Sequence, residues 1–211
     1  MPHEITPTHD VVYSKSGLQH MMDAVKQKLV LEGNMDVEGA PELYKYQWIM
    51  EEHGPFVRDV LQFRDIMHVE SIVDSEDSEG SDSAQRCTIS YYARRKMKRS
   101  GLRSPKDSGR YQPLLLLLRS GTQWFGEKQM AVIVLIEVEG GDATKVEILS
   151  RDGEASETVK STITMSVGYV IQIYGPHGWR PQEQAVSFLF LYYDVVKREA
   201  GATSDVRSYS G

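Results

Sequence analysis

The side chains best suited to metal or acid–base chemistry in this sequence are its six histidines, and their spacing does not favour a site. No two of them stand four apart on one predicted helix, and there is no Cys-x-x-Cys pair, so the spacings typical of zinc sites are missing. We therefore predict that each histidine is exposed or bonded to its local neighbours. The six are His3, His9, His20, His53, His68 and His177.

Acidic and thiol side chains offer two further candidates. Glu137 and Glu139 lie two apart on a predicted strand, so they share a face and their oxygens could ligate a cation. The alternative, which we favour, is that both are polar residues ending a buried strand before Gly140-Gly141.

Cys87 follows Arg86, and a nearby positive charge can activate a thiol. No histidine base is near in sequence, so we interpret Cys87 as a small strand residue facing inward.

Motifs that would indicate an enzyme are absent. The chain has no Gly-x-Gly-x-x-Gly, no phosphate-binding loop ending in Gly-Lys-Ser/Thr and no Gly-x-Ser-x-Gly. We predict a non-enzymatic protein with no catalytic residues, no metal and no cofactor. One alternative stays open, an enzyme whose carboxylate or metal site is not revealed by spacing.

The strongest compositional signal is a change of charge near the middle of the chain. Residues 70–83 contain six acids, no bases and five serines, whereas residues 86–110 contain nine bases and one acid. The whole chain has a net charge of −6, so the basic stretch creates a local field opposite to the overall one. The acidic stretch has little to bury, which predicts a mobile loop.

The basic stretch predicts either an import signal or a contact with a polyanion. Five of the six residues 94–99 are bases. An accessible basic run of this kind suits an import receptor, and its charges also suit nucleic acid or an anionic membrane. A third interpretation is a solvated loop that balances the acidic stretch. The candidate binding residues are Arg94, Arg95, Lys96, Lys98, Arg99, Arg103, Lys106 and Arg110.

Serines beside these charges are candidate phosphorylation sites. Four lie among acids, as acidophilic kinases accept, and one precedes a proline. Each phosphate would add about −1.5 to −2 charges and could pair with the arginines of the basic stretch. The candidates are Ser71, Ser75, Ser78, Ser81 and Ser104.

The N-terminal third predicts two or three helices. A capping-box pattern at Ser16 and an apolar face from Leu18 to Leu29 predict a helix over about 16–32. Pro41 favours the start of a second helix running to about Glu52. A third apolar stripe runs from about 55 to 67.

The C-terminal half predicts strands, at 112–119, 130–139, 145–150, 158–167, 168–174 and 185–196. Residues 114–118 and 132–136 are apolar on both faces, which is typical of central strands. The connections are short, which favours antiparallel pairing. The long apolar run at 185–196 also suggests a strand edge for intersubunit pairing. The fold class is therefore α+β, with the helices packed on a mostly antiparallel sheet or sandwich of about six or seven strands.

These elements predict one structural domain with five regions. Residues 1–15 form a flexible arm, 16–68 a helical region, 69–110 an acidic-then-basic mobile insert with a short strand, 111–198 a β-rich core and 199–211 a flexible tail. The chain has a single cysteine, no signal-peptide pattern and no apolar run near the ~20 residues that a membrane helix needs. These features predict a cytoplasmic or nuclear protein, neither secreted nor transmembrane.

In make-up the chain resembles small matrix or accessory proteins of RNA viruses. The shared features are a compact domain, one cysteine, an acidic serine-rich stretch and a basic run. Our first hypothesis is a non-enzymatic assembly or matrix-like protein that forms homo-oligomers through its β-rich half and contacts RNA, nucleoprotein or an anionic membrane through the basic stretch. The alternative is a nuclear regulatory or nucleic-acid-binding factor that uses the same stretch.

Overall fold

The computed structural model of the chain is a mostly β sandwich with two helices, which confirms the predicted α+β class. It describes residues 7–14, 18–62, 64–73, 81–89, 91, 95, 102–103, 113–151, 156–194 and 196–197. The described strands form a nine-stranded sheet, a four-stranded sheet and a short two-stranded ribbon. Every described strand pair is antiparallel, as the short connections predict.

The described elements follow one another along the chain as two helices among fifteen strands. In order they are β1 (Pro7–Ser14), α1 (Leu18–Lys26), β2 (Leu31–Met35), β3 (Leu43–Tyr46), α2 (Met50–Gln62), β4 (Arg64–Val73), β5 (Ser81–Thr88), β6 (Leu102–Arg103), β7 (Leu114–Leu118), β8 (Gln123–Trp124), β9 (Gln129–Val138), β10 (Ala143–Arg151), β11 (Glu157–Ser166), β12 (Val170–Tyr174), β13 (His177–Pro181), β14 (Val186–Asp194) and β15 (Val196–Lys197).

The large sheet has the order β2-β3-β7-β14-β9-β12-β1-β4-β5. Strands β7 and β9 each lie between two neighbours and are buried over most of their length, as their continuous apolar sequences predict. Strand β14 lies between β7 and β9. Both of its edges are therefore paired within the chain, so the expected intersubunit edge at 185–196 is wrong.

The small sheet has the order β11-β10-β13-β8 and packs on the large one. The core between them is dominated by large side chains that are almost completely buried. Trp179 on β13 and Phe188 on β14 meet there with ring centroids 5.0 Å apart. Burying aromatic rings of this size contributes a large share of the hydrophobic stabilisation of a domain.

Helix α1 packs against β9 and against α2. Its buried side chains Leu18, Met22 and Val25 recur at helical spacing, which is the apolar face that the sequence predicts. The helix is shorter than predicted and ends at Lys26. The Lys26 ammonium lies 2.9 Å from Glu137 on β9, so an ion pair ties the end of the helix to the sheet.

The predicted second helix over 41–52 is wrong, and the structure has strand β3 and the start of α2 in its place. Leu43 is buried and pairs with Leu118 of β7, and the Tyr46 and Ser187 hydroxyls are hydrogen-bonded at 2.8 Å. These contacts with distant strands outweigh the local helical pattern. Helix α2 begins before Pro55 rather than at it, and His53 bonds its first turn.

The first strand also differs from expectation, because Pro7–Ser14 lies within the large sheet rather than in a flexible arm. It pairs with β12 on one side and β4 on the other. Strands β4 and β5 extend the same sheet across part of the predicted mobile insert. Residues of both chain halves therefore share one sheet. The predicted tail at 199–211 lies outside the described residues.

Candidate functional site

A polar cluster lies between the two sheets and contains two histidines. On β1, His9 is buried, and its Nδ1 is hydrogen-bonded to the Thr8 hydroxyl at 2.8 Å. Its Nε2 lies 3.4 Å from the Ser161 hydroxyl on β11. At the start of β13, His177 is buried too, and its Nδ1 donates to the Tyr174 carbonyl at 2.6 Å. The cluster therefore joins the sheets through polar rather than apolar contacts.

These atoms resemble a nucleophile–base pair but are poorly suited to catalysis. Burial, and secondarily the nearby His177, lower the pKa of His9 from its usual 6.5 to about 4. An efficient general base has a pKa near the working pH, so His9 is a weak base at neutral pH. The group bonded to its Nδ1 is the Thr8 hydroxyl, which cannot stabilise an imidazolium as a carboxylate does. The arrangement therefore supports a structural role.

A second buried polar group lies one residue further along β1. The Tyr174 hydroxyl donates to Asp10 Oδ2 at 3.0 Å and lies 3.3 Å from Gln172 Oε1. Asp10 and Gln172 face one another in the β1–β12 register, and all three side chains are buried. Sequence reasoning missed both groups. Their only local signal is the polar run Thr8-His9-Asp10, which lowers the apolar content that usually indicates a strand.

The other histidines fit the local roles predicted for them where the structure describes their side chains. His53 is buried, and its Nδ1 accepts a hydrogen bond from the Ile49 amide at 3.0 Å. Burial lowers the pKa of His53. His20 is exposed on α1. Only the backbone of His68 is described, in β4, and His3 lies outside the described residues.

The structure shows where the carboxylate and thiol candidates lie and whether other metal-ligating side chains come near them. Glu137 forms the ion pair with Lys26, which supports the structural interpretation, and Glu139 is exposed in the following turn. Cys87 lies in β5 with its backbone opposite Asp65. Within the described ranges, no three His, Cys, Asp or Glu side chains come together as a metal site requires.

A small cavity of about 270 Å³ opens at one end of the small sheet. It is lined by Ala143, Thr144, Lys145, Thr164, Gln182, Glu183 and Gln184. The lining has one base and one acid, and it holds no histidine, serine or cysteine. Its hydroxyl groups belong to Thr144 and Thr164, and the Thr144 hydroxyl donates to the Lys145 backbone carbonyl at 3.4 Å.

Most of the predicted basic segment lies beyond the part of the chain that the structure describes. Arg95 is described as a helical residue of intermediate exposure, and the backbone of Arg103 lies in β6. Arg94, Lys96, Lys98, Arg99, Lys106 and Arg110 lie outside the described residues. The role of the segment stays a prediction.

The candidate phosphorylation sites are divided in the same way. The backbones of Ser71 and Ser81 lie opposite one another in β4 and β5. Ser75, Ser78 and Ser104 lie outside the described residues.

Strand β11 forms one edge of the small sheet and has two unlike halves. In the first half, Arg180 of β13 reaches Glu157 at 3.2 Å and also bonds Glu147 of β10 at 2.6 Å. Hydrogen bonds from Gln182 and Arg180 lower the pKa of Glu147. The register then shifts by one residue, so that Lys160 is extra. This bulge separates a charged, ion-paired half from the second half of the strand.

The second half of β11, residues 161–166, is uncharged and runs in regular register along β10. It reads Ser-Thr-Ile-Thr-Met-Ser, with no glycine and no proline. Ser161 and Met165 face the other sheet or the core, whereas Thr162 and Thr164 are exposed. No described strand lies on its outer side. The residues combine high strand propensity with low charge, which is typical of segments that add to a neighbouring strand.

Neither described helix is long and apolar enough to cross a lipid bilayer. No family model matches the chain, and no curated protein does.

Solved structures of three bacterial proteins show low similarity to this chain. Oxalate decarboxylase of Lactobacillus farciminis in a formate complex matches 41% of this chain and 26% of its own, at 14% identity and a TM-score of 0.28. RmlC of Streptococcus suis with dTDP-D-xylose matches 78% of this chain and 70% of its own, at 13% identity and a TM-score of 0.30. A 2OG-Fe(II) oxygenase family oxidoreductase of Burkholderia pseudomallei matches 85% of this chain and 77% of its own, at 13% identity and a TM-score of 0.36. At TM-scores this low, these proteins bear on neither the fold nor the function of the chain.

Proposed function

We propose that this chain is a non-enzymatic, matrix-like assembly protein that associates with copies of itself through the edge of its small sheet. The observation that supports this most is the uncharged half of β11, residues 161–166, at that edge. A second part of the proposal is that the basic segment contacts RNA, nucleoprotein or an anionic membrane, for which the support is the sequence alone.

An edge strand carries backbone amide and carbonyl groups on its outer side that can pair with another strand. Natural proteins commonly protect such edges with charges, prolines or bulges. In β11 the bulge at Lys160 and the ion pair of Glu157 protect the first half. Residues 161–166 carry none of these features. A partner strand can therefore pair with this half without meeting a charge.

A second copy fits this edge in an antiparallel register about a two-fold axis perpendicular to the sheet. Because side chains on one face must then oppose side chains on the same face, Ile163 lies opposite its own counterpart, and Thr162 lies opposite Thr164 of the other copy. Pairs of threonine and of β-branched residues are among those that stabilise antiparallel strands. The two small sheets would become one continuous sheet.

Charge substitutions at Thr162 and Thr164 test this register. Thr162→Lys with Thr164→Lys places lysines opposite one another across the contact, whereas Thr162→Lys with Thr164→Glu places a lysine opposite a glutamate. Both sites are exposed, so either variant should fold. The expected result, by sedimentation velocity over a range of concentrations, is that the Lys/Lys variant no longer associates through this edge and the Lys/Glu variant still does. Equal masses for the two variants would reject this interface.

A further inference from the structure

A second surface of the molecule exposes large apolar side chains next to one another. In the described residues, six large hydrophobic side chains are exposed, and four of them lie here. Leu31 is the first residue of β2 and follows Val30, and Met50 is the first residue of α2 and follows Ile49. The Gln47 amide donates to the Val30 carbonyl at 2.8 Å, which holds the two segments side by side. We call these four residues the apolar patch.

The exposure of this patch is large. Met50 is 69% exposed, Val30 51%, Leu31 44% and Ile49 37%. Scattered single apolar residues are normal on a protein surface, but a contiguous group often marks an interaction site.

Two ion pairs flank the patch. Lys28 lies 3.8 Å from Glu52, and Lys45 lies 3.3 Å from Glu32. An apolar centre with a charged rim is the usual arrangement of a protein–protein interface. The rim carries both signs, so it does not suit nucleic acid or an anionic membrane, both of which attract bases alone.

We propose that the apolar patch docks against the same patch of a second copy of the chain, as a contact separate from the β11 edge. Under a two-fold axis each patch meets its own equivalent, and each lysine of the rim can approach a glutamate of the other copy. The inference rests on the proposed assembly function and adds a second contact to it.

Side-chain packing rather than strand pairing forms this contact. Although β2 is the end strand of the large sheet, its register shifts between Leu31 and Gly33, which leaves Glu32 as an extra residue. A bulge of this kind interrupts the regular row of backbone groups that an added strand needs. The side chains of Val30 and Leu31, which precede the bulge, remain exposed for packing.

Two different two-fold contacts on one chain have a consequence for the assembly. A single contact of this type closes as a dimer. The patch and residues 161–166 share no residue, and Leu31 of the patch lies in the large sheet whereas residues 161–166 lie in the small one. Each dimer formed through one contact therefore still displays the other, and association continues beyond the dimer, either into a closed assembly of dihedral symmetry or into an open chain of copies.

The experiment compares four proteins and one control by sedimentation velocity and multi-angle light scattering over a range of concentrations. They are the wild type, Leu31→Thr with Met50→Glu, Thr162→Lys with Thr164→Lys, and the combination of all four substitutions. Threonine suits a strand and glutamate suits the first turn of a helix, so the patch variant keeps local stability. Val159→Thr is the matched control, because Val159 is 44% exposed like Leu31 but lies outside both contacts.

The expected masses are larger than a dimer for the wild type and the control, a dimer for each single-contact variant, and a monomer for the combination. Thermal unfolding verifies that every variant is folded. If the patch variant matches the wild type, the patch is not an interface and this inference fails while the β11 contact stands. If the β11 variant is a monomer, the patch does not hold two copies together and the inference fails as well. A monomeric wild type at every concentration rejects both contacts.

Discussion

The indole ring of Trp179 meets the ring of Phe188 edge-on across the gap between the two sheets, with an angle of 89° between their planes. Both side chains are completely buried. This pair forms part of the packing that holds the small sheet against the large one. Substitutions at the two residues therefore test how much that packing contributes to the free energy of unfolding.

We expect Trp179→Ala to lower the free energy of unfolding by roughly 3–5 kcal/mol, because it removes a large buried ring and leaves a cavity. Phe188→Leu should cost less, since most of the buried volume is kept. Urea denaturation followed by circular dichroism measures both. Tyr91→Ala, at a residue that is 55% exposed, is the control and should change stability by less than about 0.5 kcal/mol. A Trp179→Ala protein as stable as the control would show that the sheets are held elsewhere.

The buried His9 should make stability depend on pH. Its pKa is about 4 in the folded chain against 6.5 when exposed, so between these values the unfolded chain binds the extra proton and the folded chain does not. The contribution of His9 to the free energy of unfolding is therefore fully present above pH 6.5. It is lost as the pH drops towards 4, by ~3 kcal/mol in all for a shift of this size.

The measurement for His9 is the difference in unfolding free energy between wild type and His9→Gln across this pH range. The variant has no group to titrate at this site and should show the flatter profile. His20→Gln removes an exposed histidine and should follow the wild type. Parallel profiles for wild type and His9→Gln would show that His9 does not titrate between the two states as its burial implies.

The basic segment should give a salt-dependent interaction with single-stranded RNA. Neutralising Arg94, Arg95, Lys96, Lys98 and Arg99 to glutamine should weaken binding. It should also make the slope of log K against log salt shallower by about 0.7 for each phosphate that the segment no longer neutralises. Fluorescence anisotropy at several salt concentrations measures the slope. An unchanged slope would remove the polyanion contact from the proposed function.

The control for the basic segment replaces exposed bases elsewhere with glutamine, at Arg58, Lys128 and Lys145. If RNA binding depends only on net charge, RNA affinity falls in both variants in proportion to the number of bases removed. If the segment binds RNA directly, RNA affinity falls only in the basic-segment variant, because salt screens bases that lie far from the phosphates.

The sequence predicts well those elements whose pattern is local. Strand β9 is apolar on both faces, and only a central strand buries both. Helix α1 shows its apolar face at helical spacing. The second predicted helix fails because a local pattern cannot reveal that Tyr46 bonds Ser187, which lies 141 residues later.

The candidate sites were harder to predict for the same reason. Whether a strand is an edge depends on the order of strands in the sheet, and that order is set by contacts between distant residues. Thus β14, which is apolar over most of its length, is central, whereas the polar β11 is an edge. The apolar patch depends on the pairing of Leu31 with Tyr46 and of Val30 with Gln47, which brings the two segments together and which the sequence alone does not show.

The position of β1 in the large sheet governs the order in which the chain can assemble. Asp10 and Tyr174 bond one another although they are 164 residues apart. During synthesis β1 is made long before β12, and a contact at such separation is costly in chain entropy and slow to form. Until β12 arrives, one edge of β1 has no partner from its own chain. For most of synthesis, therefore, the backbone groups along that edge of β1 can pair with a strand of another chain.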